Sequence, residues 1–304
     1  MKYLKVFNIE SEYQVFKGGE DYITPNVCLI NESDTVYFNT TPISVGDVAY
    51  WDGSNVKTTP LSKWNESLGT AIGVVVIPPG FAPDEKIRII SLYGVDADGN
   101  QSSSHIGMGW SGYDTDTSLT NYTMVPTTDN AGSTSTGSAG AGYLPSDNFT
   151  GTPSYVDSKA KYSQTSNLIP SPYLGDEPNP EYYKVLQNNN VLSDFNGLSN
   201  TQTLVDLGTD YIAANAAYNY NDGASNIQWY LPAMGELGYI MPRFNEIDAT
   251  ITALEGLSIA GSNVFRSSSE SSTDFAYYMA TNNGYVSANR KNFSFYVRPF
   301  AIIE

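Results

Sequence analysis

The sequence WYLPAMGEL at residues 229–237 decides the fold. Trp229 and Leu231 alternate with a tyrosine, and this period of two predicts the end of a half-buried strand. Pro232 follows directly and suits the first position of a helix, because the N–H that proline lacks has no helical partner there. The stretch therefore predicts a strand that runs straight into a helix.

The predicted helix covers residues 232–241 and is amphipathic. Glu236 falls early in it, where a carboxylate meets the positive end of the helix dipole. Met234, Leu237 and Met241 recur at helical spacing and predict one apolar face. Pro242 then predicts the end of the helix, because proline cannot continue a helical hydrogen-bond ladder.

Four further motifs follow in order along the chain. They read FRSSSE at 265–270, AYYM at 276–279, GYV at 284–286 and YVRPF at 296–300. In order and spacing the series resembles the Lcl-type domain of Bacteroidetes surface and phage proteins, a C-type-lectin-like fold related to the formylglycine-generating-enzyme superfamily. The resemblance implies an α+β fold, mostly β with two or three helices. The motif residues expected to frame this fold are Trp229, Pro232, Glu236, Arg266 and Arg298.

The lectin-like domain is predicted to span residues 43–304. A GDVAYWDG opening at 46–53 and an IGVV strand at 72–75 resemble segments that precede the lectin core in the same family. Residues 101–190 are predicted to be a long loop-rich insertion. Within it, 14 of the 16 residues from 127–142 are Ser, Thr, Gly or Ala, which leaves no apolar face for a regular element.

Residues 200–304 are predicted to hold the helices and a late antiparallel sheet. Helices are predicted from a cap at Asn200 or Thr201 to Tyr218, over 232–241, and from a cap at Asn245 to Gly256. Strands are predicted at 263–268, 275–280, 284–288 and 293–300, with a hairpin turn at the sequence NNG of residues 282–284.

Residues 1–40 are predicted to be a separate segment. This opening resembles the N-terminal segment shared by structural proteins of Bacteroidetes phages and prophages, the crAss-like phages among them, which implies a virion anchor. Its first apolar residues predict short extended or helical pieces, and residues 25–38 predict a hairpin. The segment is too short to bury its apolar residues alone, so it should pack on sister chains, in a homodimer or homotrimer, or on capsid or tail proteins. The anchor residues are Tyr3, Val6, Phe7, Val27, Leu29, Val36 and Phe38.

The charge balance excludes two classes of partner. Charged residues make up 15% of the 304-residue chain, and the formal net charge is −17. Binding to a nucleic-acid backbone requires clustered Lys and Arg, which the sequence lacks. An anionic membrane surface is disfavoured for the same reason, so neither nucleic acid nor membrane is expected as a partner.

The start of the chain has no apolar run typical of a secretory signal, and the longest clear apolar run, residues 71–77, is too short to cross a bilayer. The one cysteine, Cys28, can form no intramolecular disulfide and is expected to be a small buried hydrophobe. We therefore expect a protein made in the host cytoplasm and displayed on the virion surface.

No enzymatic site is expected. His105 is the one histidine of the chain, and no nucleophile-elbow pattern accompanies it. The formylglycine-generating relatives use copper-binding cysteines, and Cys28 lies outside the matching region. Calcium remains open as a ligand, because Glu177-Pro178-Asn179 matches a short motif of calcium-dependent lectins, although its companion Trp-Asn-Asp triplet is absent.

A ligand-binding face is expected on the late strands. In phage receptor-binding proteins of this fold the corresponding sheet displays the contacting side chains, and Tyr and Asn offer large contact area at low entropic cost. The residues of this predicted face are Tyr278, Asn282, Tyr285, Asn289, Arg290 and Lys291.

The leading interpretation is a non-enzymatic structural protein of a phage particle. It would be a head (capsid) fibre or tail-fibre-like appendage that adheres to a host-surface glycan or protein. One alternative is a Bacteroidetes cell-surface adhesin or pilus-tip protein with the same domain. Another is a tail-associated glycan depolymerase, since a pair of carboxylates for glycoside hydrolysis stays open.

Overall fold

The structure is a computed structural model. It describes residues 3–7, 13–17, 42–111, 117, 119–122, 142–144, 171–182, 191–261, 263–282 and 284–303. The chain divides into two compact units, Met1–Ile43 and Ser44–Glu304.

In the described residues of the first unit, β1 (Tyr3–Phe7) and β2 (Tyr13–Lys17) form an antiparallel pair of strands. Tyr3 pairs with Lys17 and Phe7 pairs with Tyr13. Of the two conformations that the sequence left open here, the extended one is found. The predicted hairpin at 25–38 lies outside the described residues. So do Cys28 and the anchor residues Val27, Leu29, Val36 and Phe38.

The second unit is mostly β with a few helices. Its described strands are β3 (Val48–Trp51), β4 (Val56–Thr59), β5 (Thr70–Ile77), β6 (Ile87–Ser91), β7 (Gly94–Val95), β8 (Gln101–Ser102), β9 (Gly107–Met108), β10 (Gly142–Tyr143), β11 (Tyr173–Leu174), β12 (Glu177–Pro178), β13 (Trp229–Tyr230), β14 (Val264–Glu270), β15 (Phe275–Ala280), β16 (Tyr285–Arg290), β17 (Phe295–Tyr296) and β18 (Phe300–Ile303). The α-helices that lie wholly within its described residues are α1 (Gly197–Leu207), α2 (Ile212–Tyr218), α3 (Met234–Leu237) and α4 (Phe244–Ala253). Short 3-10 turns lie at Leu61–Lys63, Glu66–Leu68, Val191–Ser193 and Met241–Arg243.

The first sheet has six antiparallel strands in the order β13-β18-β6-β5-β3-β4. Strand β5 is buried from its third residue onward, as its nearly continuous run of apolar, largely β-branched residues predicts. Strand β18 comes from the other end of the sequence, yet it lies between β13 and β6. The sheet therefore joins early and late parts of the chain.

The second sheet also has six strands, in the order β10-β16-β15-β14-β17-β9. All of its pairs are antiparallel except β14 with β17. The edge strands β9 and β10 both come from the predicted insertion at 101–190, so parts of that region belong to the sheet. The predicted loop at 127–142 lies outside the described residues, apart from Gly142 at the start of β10.

One apolar core connects both sheets with the helices. Val74 and Ile90 enter it from the first sheet, Phe265 and Tyr277 enter it from the second, and Ile251 enters it from α4. The predicted mixed fold, mostly β with a few helices, is confirmed. No helix in the described part of the chain has the length and apolar character needed to cross a bilayer.

The stretch WYLPAMGELGYIM is buried at every position from 229 to 241. Trp229 and Tyr230 form the predicted strand, but the helix after it is much shorter than expected. It spans only α3, with Ala233 as its N-cap, so Pro232 lies before the helix and not at its first position. Pro242 is also different from the prediction, because it lies within the 3-10 turn that leads into α4.

The helix predicted to run to Tyr218 is two helices. Its break is at Gly208, whose φ of 132° is left-handed backbone that favours glycine and ends α1. The expected caps are also wrong: Asn196 occupies the N-cap position of α1, and α4 begins at Phe244 after Arg243, not after a cap at Asn245. The carboxylate of Asp248, which lies within α4, accepts the backbone N–H of Ile259 at 2.7 Å. This bond fixes the loop beyond α4.

Candidate functional site

Alternation along β15 and β16 separates a core face from an outer face. Tyr277 lies opposite Ala288, and Met279 lies opposite Val286. All four side chains belong to the core. Because successive side chains of a strand point to opposite faces, the residues between them lie on the outer face. That face carries Tyr278, Tyr285, Ser287 and Asn289.

Aromatic rings form the centre of the outer face. Tyr278 stacks on Phe295 of β17, with ring centroids 4.7 Å apart and ring planes at 26°. Tyr285 contacts Tyr278 with ring centroids 6.2 Å apart. These three rings and Asn289 are half-buried, so each presents part of its surface to solvent. We call Tyr278, Tyr285, Asn289 and Phe295 the outer patch.

The outer patch combines apolar ring surface with polar groups. Burial raises the pKa of Tyr278, so its hydroxyl stays protonated at neutral pH and can both donate and accept hydrogen bonds. The Asn289 side chain adds an amide beside the rings. Such a surface suits stacking against a sugar ring or a flat side chain, with hydrogen bonds at the edge of the contact.

Arg266 of β14 lies opposite Tyr278 of β15, so its side chain is on the same face of the sheet as this patch. Its guanidinium carbon is 4.4 Å from the centroid of the Phe295 ring, and the side chain is fully buried. Nη1 donates to the carbonyl of Ala276 at 3.0 Å, and Nη2 donates to the carbonyls of Arg290 at 3.1 Å and Phe293 at 2.8 Å. Burial lowers the pKa of Arg266 to about 9. Among the described residues no carboxylate forms an ion pair with it.

The structure divides the six residues of the predicted ligand face. Tyr278, Tyr285 and Asn289 lie together in the outer patch. Asn282 is exposed in the turn between β15 and β16. Arg290 is exposed too, but it lies opposite Phe275, whose ring packs against the core, so it belongs to the other side of the sheet.

Lys291 is not a surface residue, and the prediction that it contacts ligand is wrong. It is fully buried and forms an ion pair with Glu270 at the end of β14. Its ammonium lies 4.8 Å from the centroid of the Trp110 ring. Thr117 donates a hydrogen bond to the other carboxylate oxygen of Glu270. The pair holds part of the predicted insertion against the second sheet.

Glu236 forms a second buried ionic network. Its Oε2 accepts the N–H of Ala233 at 2.8 Å, which closes the first turn of α3. Its Oε1 accepts the Tyr230 hydroxyl at 3.0 Å and Nε of Arg88 at 3.2 Å. Arg88 lies on β6 and also pairs with Asp84. The network therefore ties the first sheet to the short helix that follows β13.

Burial raises the pKa of Glu236 to about 7, although Arg88 and the N–H of Ala233 act in the opposite direction. A methyl group on Gly197 would come 2.2 Å from Oε2 of Glu236. Helix α1 therefore needs glycine at its first residue in order to pack against this carboxylate.

Trp229 and Arg298 are both interior residues. Trp229 is 1% exposed, packs edge to face on Tyr220, and donates from Nε1 to Asp222 at 3.0 Å. Arg298 donates to the carbonyls of Ser91, Leu92 and Leu257. These contacts join the loop before β18 to the end of β6 and to the loop after α4.

The serines of the FRSSSE motif connect different elements. Ser267 donates to the carbonyl of Tyr277, and the N–H of Ser268 donates to the carbonyl of Pro232. Ser269 donates to the buried carboxylate of Asp194 at 2.6 Å and accepts the N–H of Met234. The pairing register of β14 shifts between Arg266 and Glu270, where these serines bond to elements outside the sheet. All three serines are fully buried, and the contacts described here connect β14 with neighbouring elements.

His105 is a packing residue. Its ring stacks on Tyr296 and contacts Phe265 edge to face, and Nε2 bonds to the carbonyl of Ser258 at 2.9 Å. Burial lowers its pKa, so the ring stays neutral at physiological pH.

The calcium motif is used for local structure. Asn179 donates from Nδ2 to the carbonyl of Ser171 and accepts the N–H of Glu181 at Oδ1, so both polar atoms of its side chain bond within this segment. Glu177 lies exposed in β12. Within the described ranges, no group of three or more His, Cys, Asp or Glu residues is placed to hold a metal ion.

One residue of the outer patch, Phe295, was not predicted from the sequence as part of the ligand face, although it falls in the predicted strand at 293–300. Phe293, 52% exposed, lies in the turn just before it. The spacing of two phenylalanines at positions 293 and 295, close after the predicted ligand-face residues, is the sequence signal that could have indicated this aromatic surface.

No protein-family model matches this chain, and no curated protein matches it. Among solved structures it is similar to the crystal structure of a fimbrial protein from Bacteroides ovatus, at 15% sequence identity and a TM-score of 0.44. The match covers 86% of this chain and 49% of the fimbrial protein, so the chain spans about half the length of that protein.

Proposed function

We propose that this protein is a non-enzymatic adhesion protein that binds a host-surface glycan or protein through the outer patch. The observation that carries the proposal is the group of half-buried aromatic rings on the face of the second sheet turned away from the core. Aromatic rings in a rigid setting lose little conformational entropy on binding. The strands beneath them hold the rings in place before a ligand arrives, which further favours binding.

The uncharged character of the outer patch favours an uncharged ligand. Its four residues carry two hydroxyls, one amide and no ionised group, while the chain as a whole carries a net charge of −17. An acidic polysaccharide would be repelled at long range by this net charge. A neutral glycan presents ring faces for stacking and hydroxyls for hydrogen bonding, so it is the ligand class we favour.

We further propose that the protein is an appendage of a phage particle, a head fibre or a tail-fibre-like protein with a C-type-lectin-like body. The resemblance of the motifs between residues 229 and 300, and of residues 1–40, supports this setting. The outer patch would serve a pilus-tip adhesin of a Bacteroidetes cell equally well. Immunogold labelling of purified virions and of cells distinguishes the two settings, since antibody against the protein should label particles in the first case and pili in the second.

Replacing Tyr278 with alanine is expected to weaken ligand binding by about tenfold or more, because central aromatic residues dominate such contacts. The measurement is retention of labelled protein on Bacteroidetes cells and on immobilised neutral and acidic oligosaccharides. Tyr218→Ala, which removes a partly exposed tyrosine at the end of α2, is the matched control and should bind as the parent does. Equal losses in both variants would contradict a role for the outer patch. Release of shortened oligosaccharides during the assay would favour the depolymerase instead.

Deleting residues 1–40 is expected to leave a folded body that no longer assembles. The apolar core described above lies wholly within the second unit, so that unit should retain its cooperative unfolding. Light scattering should show an oligomer for the full chain and a monomer for the shortened one. Sedimentation with particles should detect attachment of the full chain only. A shortened protein that still decorates virions at the normal level would refute the anchor assignment.

A further inference from the structure

Arg266 differs from the other two fully buried arginines in what its contacts hold in place. Arg88 pairs with the carboxylates of Asp84 and Glu236. Arg298 binds three carbonyls near the first sheet. Arg266 also binds three carbonyls, but all of them lie around the outer patch. Its contacts therefore hold the backbone segments that position the side chains of that patch.

The three carbonyls belong to two segments that carry aromatic residues of the outer face. Ala276 lies on β15, two residues before Tyr278. Arg290 and Phe293 begin and end the turn that leads from β16 to Phe295. One planar guanidinium thus fixes the turn that positions Phe295 relative to the strand that positions Tyr278, because its donors point in set directions.

The charge of Arg266 adds a second constraint. Its guanidinium carbon lies 4.4 Å from the centroid of Phe295, within the distance at which a cation is attracted to the face of an aromatic ring. Tyr278, which lies opposite Arg266 in the sheet, stacks on the same ring with centroids 4.7 Å apart. Phe295 is therefore held by two contacts, one with each of these paired residues.

We propose that Arg266 is a positioning residue of the outer patch: it sets the stacking of Phe295 on Tyr278 and fixes the turn that exposes Phe293. The effect of Arg266 on ligand binding rests on the proposed function of the patch. Its effect on the geometry of the two rings is independent of that function and can be measured in the protein without a ligand.

Arg266→Lys is the test, with Arg298→Lys as its matched control. Lysine keeps the charge but has a single ammonium, which cannot reach three carbonyls in the directions of the guanidinium fork. Both variants lose a buried arginine and both should unfold at a lower temperature. Only Arg266→Lys should shift the ring-proton resonances of Phe295 and Tyr278 in NMR spectra recorded well below both melting temperatures. Unchanged resonances in Arg266→Lys, or equal changes in both variants, would overturn the proposal.

Phe295→Leu provides a second route if Arg266→Lys does not fold. It replaces a half-buried ring with a smaller apolar side chain. In the parent, the ring current of Phe295 should move the guanidinium resonances of Arg266 upfield, and Phe295→Leu should remove this shift while the carbonyl contacts remain. Guanidinium resonances at the same position in both proteins would contradict the contact on which the proposal depends.

The binding readout uses the neutral oligosaccharides and cells described above. Arg266→Lys is expected to lose about tenfold in affinity and Arg298→Lys to lose none. If the parent itself binds none of these probes, the proposed function fails while the NMR comparison still decides the positioning role. If the parent binds and Arg266→Lys binds equally well, the positioning role in binding is wrong and the proposed function stands.

Discussion

Glu236→Gln is expected to lower the free energy of unfolding by about 3 kcal/mol, because removing one partner of a buried ion pair leaves the other poorly compensated. Arg88 would keep Asp84 but lose its buried acceptor. The amide of glutamine would also place a donor against the N–H of Ala233 or the hydroxyl of Tyr230. Denaturant unfolding at pH 8 is the measurement. Because burial raises the pKa of Glu236 to about 7, the folded protein holds the carboxylate form at that pH.

Glu246→Gln is the matched control for this change. Glu246 is partly exposed and lies 3.6 Å from Arg243 within one helical turn, a kind of pair whose loss costs about 0.5 kcal/mol or less. Similar stability losses for Glu236→Gln and Glu246→Gln would show that the buried network does not stabilise the fold.

Trp229→Ala is expected to cost about 3–5 kcal/mol, the range for truncating a large buried aromatic side chain. The ring is 1% exposed and packs on Tyr220, and its loss would also remove the bond to Asp222. Trp229→Phe keeps one aromatic ring but loses the rest of the indole and the bond to Asp222, so it should cost less than the alanine variant, about 1–2 kcal/mol. Unfolding curves followed by far-ultraviolet circular dichroism test both. A loss below about 1 kcal/mol for the alanine variant would mean that the junction does not hold the fold together.

Strands with a strong local pattern were predicted well from the sequence. The apolar run of β5 and the alternation of β15 agree with the structure within a residue or two, because their side-chain pattern is dictated by the face that each strand buries. The helices were predicted less well. Gly208 and Pro232 act through backbone conformations that depend on neighbouring elements. All thirteen residues from 229 to 241 are buried, so apolar periodicity does not distinguish a long helix from a short one in this stretch.

The candidate site was predicted in part, for a physical reason. Tyr278, Tyr285 and Asn289 were predicted from the resemblance and from their residue types, and they share a face because side chains alternate along β15 and β16. The burial of Lys291 depends on Glu270, 21 residues away, and on Trp110, far earlier in the chain. The role of Arg266 depends likewise on carbonyls of three separate positions. Contacts between residues far apart in the sequence produce no periodic pattern. A lysine after a predicted strand is therefore predicted to be exposed, and its burial becomes evident only when its partners are known.

The position of β18 in the first sheet has a consequence for how the chain is made. Strands β3 to β6 emerge from the ribosome long before residues 300–303, which must pair with β6 and β13. Throughout that interval the nascent chain presents β6 with one edge unpaired, and an open edge is a template for pairing with other chains. Folding of the second unit is therefore completed only after synthesis has passed residue 303, and any chain that stops earlier carries an exposed edge prone to aggregation.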